Sequence, residues 1–241
     1  MRRDLILIGG SAGGLDALLL TLRDLPPDFR AAILVALHIP ADGSENLPKV
    51  VQHQCALPVV FASDGDPIVQ GQVAIAPPDY HLVVSDGVLR TLRSAREHRH
   101  RPAIDPLFRS GAESHGARVI ALVLSGAGSD GTAGMVAIRK QGGYLLVQDP
   151  EDARFPVMPQ SVLDTVAVDA YLPASQIARH LQHLINESVS SPEGTPVPPS
   201  NTPERPASFL ETSIERTSEG KPSIFSCPDC GAYSGRSVTA G

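Results

Sequence analysis

The chain has 241 residues, three cysteines and a formal net charge of -6. That acidic balance lacks the basic stripe of a nucleic-acid binder, and three cysteines form no disulfide framework, which fits a reducing compartment. Met1-Arg2-Arg3-Asp4 leads into an apolar run broken by Gly9 and Gly10, too short for a signal-peptide core or for the roughly 20 residues that span a bilayer. The expectation is a cytoplasmic protein without membrane insertion.

In chain order, short unbroken apolar runs at 5–8, 33–37 and 119–124 are bounded by turn residues, the pattern of strands buried on both faces of a parallel sheet. Leu15, Leu18, Leu19, Leu22 and Leu25 recur at helical spacing after the first run, and Pro26-Pro27 ends that helix. Further strands are expected at 59–61, 73–76, 81–84 and 88–92, the last two joined as a hairpin through Ser85-Asp86-Gly87. Helices are expected at 104–115, 132–141, 158–165 and 174–186. Alternation of this kind predicts an α/β domain over 1–187: a doubly wound, mainly parallel sheet with helices on both faces.

Residues 188–222 are rich in Ser, Pro, Thr and Glu and poor in large apolar groups, which predicts a disordered linker. The tail, 223–241, carries an isolated Cys227-Pro228-Asp229-Cys230. That is half of a zinc ribbon, and four ligands are normally required, so neither a metal nor a cofactor is expected. Cys55 is expected in the core.

Each of the three main apolar runs is followed by a side chain able to do chemistry. Gly9-Gly10-Ser11-Ala12-Gly13 fits a nucleophile elbow, in which glycines permit a sharp strand-to-helix turn that lifts the serine hydroxyl to the sheet edge. The other reading is a phosphate- or dinucleotide-binding turn, although Ser11 and Leu15 stand where such fingerprints want Gly and Lys. His38 reads either as a structural histidine at a loop mouth or as a general base, since imidazole titrates near neutral pH. Asp130 reads either as the N-cap of the helix starting near Thr132 or as the acid that orients an imidazole. Arg93, Arg96, His98, Arg99, His100 and Arg101 read as a solvated loop or, for Arg99, His100 and Arg101 above all, as an electrostatic guide for an acidic partner.

Beyond these, Ser63-Asp64-Gly65-Asp66, Gly71-Gln72-Val73-Ala74-Ile75-Ala76-Pro77-Pro78, His81-Leu82, His100-Arg101-Pro102-Ala103-Ile104-Asp105, Leu124-Ser125-Gly126-Ala127-Gly128-Ser129-Asp130-Gly131, Gln148-Asp149 and Met158-Pro159 occur in one order. With them the chain, over residues 4–186, resembles the catalytic domain of the CheB-type protein-glutamate methylesterases of bacterial chemotaxis. The resemblance implies Ser11 as nucleophile, His38 as base and Asp130 as orienting acid, with the backbone N–H groups of Ala12 and Ala127 as the oxyanion site. It implies hydrolysis of glutamate γ-methyl esters on chemoreceptor cytoplasmic helices through an acyl-enzyme, and in some members deamidation of glutamine.

The chain departs from that pattern in places. Ala12 stands where many members carry Thr, and Ala127 where Met is common; amide direction rather than side-chain identity matters for an oxyanion donor. The first strand begins at Leu5, whereas well-known members place a receiver domain upstream. The expectation is therefore a site not gated by aspartyl phosphorylation, with a methyltransferase or a receiver protein in trans as further partners. The alternatives are a non-catalytic signalling scaffold of the same fold and an esterase or deamidase acting on another protein.

Overall fold

Among the described residues, seven strands pair in parallel into one sheet, in the order β3-β4-β2-β1-β7-β8-β9. They are β1 Leu5–Gly10, β2 Ala32–Leu37, β3 Val59–Phe61, β4 Val73–Ile75, β7 Val119–Val123, β8 Tyr144–Gln148 and β9 Ala170–Leu172. A separate antiparallel hairpin joins β5 His81–Ser85 and β6 Val88–Leu92. The computed structural model describes residues 2–40 and 46–187; the expected linker at 188–222 and the tail with Cys227 and Cys230 lie outside the described residues.

Strand periodicity sends alternate side chains to opposite faces, and both faces of this sheet are apolar. Ile6 and Ile8 of β1 and Ile33, Val35 and Leu37 of β2 join a core with α1 (Gly14–Arg23), α2 (Leu47–Gln52) and α6 (Ala174–Asn186), which contribute Leu18, Leu22, Val51, Ile177 and Leu181. Leu5, Leu7 and Leu34 point the other way. They pack with Leu107 and Phe108 of α3 (Ile104–His115), Met135 and Ile138 of α4 (Thr132–Lys140), and Met158 and Val162 of α5 (Val157–Thr165). Cys55 lies in the first of these cores, and burial pushes its thiol pKa up. The expected doubly wound arrangement is thus present.

Among the described strands and α-helices, three were not expected. The strand β8 follows Gly142-Gly143 and ends in the polar Gln148, β9 is an edge strand of three residues, and α2 is a helix of six, all too short for periodicity to stand out.

β1 lies between β2 and β7. The chain leaves β1 on one side, builds β2, β3 and β4, and returns to β7 on the other, so strand order reverses beside β1. Loops at the carboxyl ends of the strands flanking such a reversal form the ligand crevice of open α/β sheets. Ser11 follows β1, His38 follows β2 and residues 125–131 follow β7. Close approach at this point depends on Gly9, because a Cβ there would lie 2.3 Å from Ile104 Cγ2; only glycine lets α3 sit this low on β1.

Candidate active site

Ser11 is half-buried at the turn between β1 and α1. Its N–H donates to Ser125 O at 3.0 Å and its carbonyl accepts from Gly14 N–H at 2.8 Å, which pins the turn from both sides. Gly13 takes a left-handed φ of 71°, and a Cβ there would meet Ser125 Oγ at 2.8 Å, so a side chain is excluded twice over. Ser125 itself is buried. Its hydroxyl donates to Ala12 O at 2.8 Å and accepts from Phe155 N–H at 2.9 Å, while its N–H donates to Gln148 Oε1 at 2.8 Å. The next residue, Gly126, runs so close to the turn that a Cβ on it would sit 2.9 Å from Ser11 Cβ. Among the described residues, the N–H groups of Ala12 and Ala127 donate to no protein acceptor, and the first turn of α1 adds its positive dipole end.

His38 bridges the other groups. Its Nδ1 lies 3.1 Å from Ser11 Oγ and its Nε2 lies 2.7 Å from Asp130 Oδ2. The side chains of His38 and Asp130 are only 4% and 2% exposed, so this contact is shielded from water. Because an ionised Asp130 only accepts, the neutral imidazole carries its proton on Nε2, and Nδ1 presents a lone pair to the Ser11 hydroxyl. The ring nitrogens therefore take roles opposite to those in the chymotrypsin-type triad.

Asp130 is not the N-cap of its own helix. That position is Gly131, with no side-chain cap. Asp130 instead caps α3, 25 and 26 residues away in sequence: Ile104 N–H donates to Oδ2 at 2.7 Å and Asp105 N–H to Oδ1 at 3.0 Å, with Gly131 N–H adding a bond to Oδ1 at 2.8 Å. Burial pushes this carboxyl up, but the hydrogen bonds from His38 and the α3 amides, with the His38 charge, outweigh it and hold its pKa below the usual carboxylate range. His38 and the α3 amides together thus keep Asp130 ionised.

The fold gathers part of the expected basic cluster on one carboxylate, Asp79, which pairs with Arg93, Arg96 and Arg101. Arg101 donates to Asp79 Oδ1 at 3.0 Å from Nε and 2.6 Å from Nη2, and Arg93 donates to Asp79 Oδ2. The two guanidiniums hold Asp79 below the ordinary carboxylate range, against its partial desolvation. His98 Nε2 reaches Asp105 Oδ2 at 3.1 Å. His100 turns inward and stacks on His38, with ring centroids 3.6 Å apart and planes 10° from parallel. Arg99 stays exposed. Of the three residues expected to guide a partner, only Arg99 is placed with its side chain in solvent.

Sequence reasoning assigned no role to Ser125, Asp105, His81 or Gln148, all buried polar groups. A polar residue inside an apolar stretch was the available signal, since such a group needs a partner. Asp105 Oδ1 accepts from Gly134 N–H at 2.7 Å. Burial pushes its carboxyl above the ordinary range, with the Asp130 charge adding to the rise and the Gly134 amide opposing it. Ligand atoms of His98, Asp105 and Asp130 lie within 4.8 Å of one another. Asp130 Oδ1 already accepts from two amides and Asp105 Oδ2 from His98, so hydrogen bonds account for this cluster.

Comparison with known proteins places these residues in context. Residues 6–181 match the family model described as CheB methylesterase. The chain is 39% identical over 184 residues to protein-glutamate methylesterase/protein-glutamine glutaminase 2 of Anaeromyxobacter dehalogenans, covering 76% of this chain and 54% of that protein. It is 37% identical over 192 residues to the corresponding protein 1 of Rhodospirillum rubrum, covering 77% and 50%. A putative protein of the same description from Leptospira interrogans is 34% identical over 179 residues, covering 74% and 93%. The chain thus spans about half the length of the first two relatives. The crystal structure of the Thermotoga maritima CheB methylesterase catalytic domain superposes with a TM-score of 0.73 at 32% identity, covering 77% of this chain and all of that one.

Proposed function

Since the chain belongs to the CheB methylesterase family, we propose that it hydrolyses glutamate γ-methyl esters on the cytoplasmic helices of chemoreceptors, with Ser11 as nucleophile, His38 as base and Asp130 as orienting acid. The observation that carries this reading is the line of contacts from Ser11 Oγ through His38 to Asp130, 3.1 and 2.7 Å long, set at the strand-order reversal.

His38 Nδ1 takes the hydroxyl proton as Ser11 Oγ attacks the ester carbonyl. The imidazolium that forms is stabilised by Asp130, whose own proton affinity is low. The developing oxyanion is met by the N–H groups of Ala12 and Ala127, where each lost donor costs on the order of 10²–10³ in rate. His38 then returns the proton to the departing methoxide, and methanol leaves an acyl-enzyme. Water, deprotonated by His38, attacks the acyl carbon; Ser11 leaves with the proton, and the receptor carboxylate is released. The same site handles a γ-carboxamide with ammonia as leaving group, and the relatives' names include glutaminase.

Among the described residues no helix is long and apolar enough to cross a membrane, and the substrate lies on cytoplasmic helices, so the proposed location is the cytoplasm. The test is methanol release from methylated receptor fragments. Wild type is expected to release it and Ser11→Ala to release none; equal release by both refutes the nucleophile, and no release by either supports a non-catalytic scaffold.

A further inference from the structure

Both nitrogens of the His38 ring are engaged, Nδ1 with Ser11 and Nε2 with Asp130, so what packs on its faces sets its remaining freedom. Two hydrogen bonds at opposite ends fix the ring's edge, yet leave it free to tilt about the line joining them. One face is covered by His100, parallel to within 10° at a centroid separation of 3.6 Å.

The segment carrying His100 is held from several sides. A single buried imidazole, His81, closes both of its ends: Nε2 donates to Ala95 O at 2.9 Å, and Nδ1 accepts from Ala103 N–H at 3.1 Å. Glu97 and His100 exchange backbone bonds of 2.8 and 3.2 Å, closing a two-residue turn whose central residues, His98 and Arg99, have φ of 48° and 69°. Left-handed backbone at two successive non-glycine residues is costly and needs external support. That support comes from α3, where Arg109 pairs with Glu97 at 2.7 Å and Asp105 with His98, and from Arg101 on Asp79. Burial, and then the nearby His38 charge, lowers the His100 pKa, which favours a neutral ring on the stacked face.

We propose that His100 is a positioning residue: its ring is the platform that holds the His38 imidazole in the plane where Nδ1 faces Ser11 Oγ. This rests on the triad reading, and it replaces the guiding role expected for His100 from charge alone. Misplacing a reacting group by about 1 Å can cost on the order of 10² in rate, so a tilted base slows the chemical step without weakening binding.

The test is phosphonylation of Ser11 by a small fluorophosphonate, with the inactivation rate constant and the reversible binding constant measured separately on the full chain. The probe carries no receptor, so a residue that only guides receptor leaves both constants unchanged. His100→Ala is expected to lower the inactivation rate constant about tenfold with the binding constant within about twofold. His100→Phe, which keeps a planar ring, is expected to restore the rate to within about threefold of wild type. Should His100→Ala fail to fold, His100→Asn replaces it with the same expectation. Labelling of the ring-less variant at the wild-type rate overturns the proposal, as does a Phe variant no faster than Ala or Asn. Absence of label on wild-type Ser11 is a different result, and overturns the triad reading beneath it.

Discussion

Asp130 and Asp105 each hold the N-terminus of the other's helix. Asp130, just before α4, accepts from the first amides of α3 at Ile104 and Asp105; Asp105, in the first turn of α3, accepts from Gly134 in the first turn of α4. The carboxylate that faces His38 is therefore also a structural tie between two helices packed on one face of the sheet. Its ionisation is maintained by His38 together with the backbone amides at the start of α3.

Asp130→Asn separates these jobs. The amide offers one oxygen to donors that now occupy two, and it can favour the imidazole tautomer with its proton toward Ser11. Activity is expected to fall by a factor approaching the roughly 10⁴ of the equivalent change in the serine-protease template. The variant also loses stability at neutral pH, by about 1–3 kcal/mol for a buried donor left unpaired. Because the Asp130 pKa is depressed, its contribution is present above the unfolded carboxylate range near 3.9 and lost as pH falls through the folded value. Melting curves of the two proteins should converge only at acid pH, and an undiminished gap there contradicts this account.

Asp105→Asn should behave with the opposite sign. Burial raises the Asp105 pKa, so the wild type carries a penalty that appears as pH rises from the unfolded carboxylate range through the folded value. The melting temperature of the variant relative to wild type is expected to increase across that interval. A constant difference from pH 4 to 8 would show that Asp105 is not raised.

Ser125→Ala removes a hydroxyl that joins Ala12 O to Phe155 N–H, leaving buried groups on both sides of the nucleophile turn unpaired. The expected cost is about 1–3 kcal/mol, a fall in melting temperature of about 2–12 °C, together with slower turnover. An unchanged melting temperature means that water replaces the hydroxyl.

Much of the site was legible because Ser11, His38 and Asp130 each follow an unbroken apolar run, which identifies both the strand and the end at which the side chain emerges. Strand order was not, since pairing of β1 with β2 and β7 is decided by tertiary packing. The second role of Asp130 was hidden because its acceptor bonds reach α3 far along the chain. The partner of the basic residues was hidden for a similar reason: Asp79 lies well upstream, and local spacing does not show that it takes up Arg93 and Arg101. No turn signal marks 97–100 either, since His98 and Arg99 occupy positions where glycine or asparagine is expected.

Truncation after residue 187 tests the linker expected at 188–222. Composition there is too poor in apolar groups to dock, so melting temperature is expected to stay within about 2 °C, less than about 1 kcal/mol for a domain of this size, with turnover unchanged. A larger loss places part of the tail in the stability of the domain.

The central claim is that Ser11 carries a hydroxyl activated by His38 and Asp130. Intact-mass measurement after fluorophosphonate treatment, with peptide mapping of the adduct, tests it most directly. The account predicts one adduct per chain, on Ser11, lost in Ser11→Ala and strongly reduced in His38→Gln. An unlabelled wild type, an adduct on another residue, or full labelling of His38→Gln would contradict it.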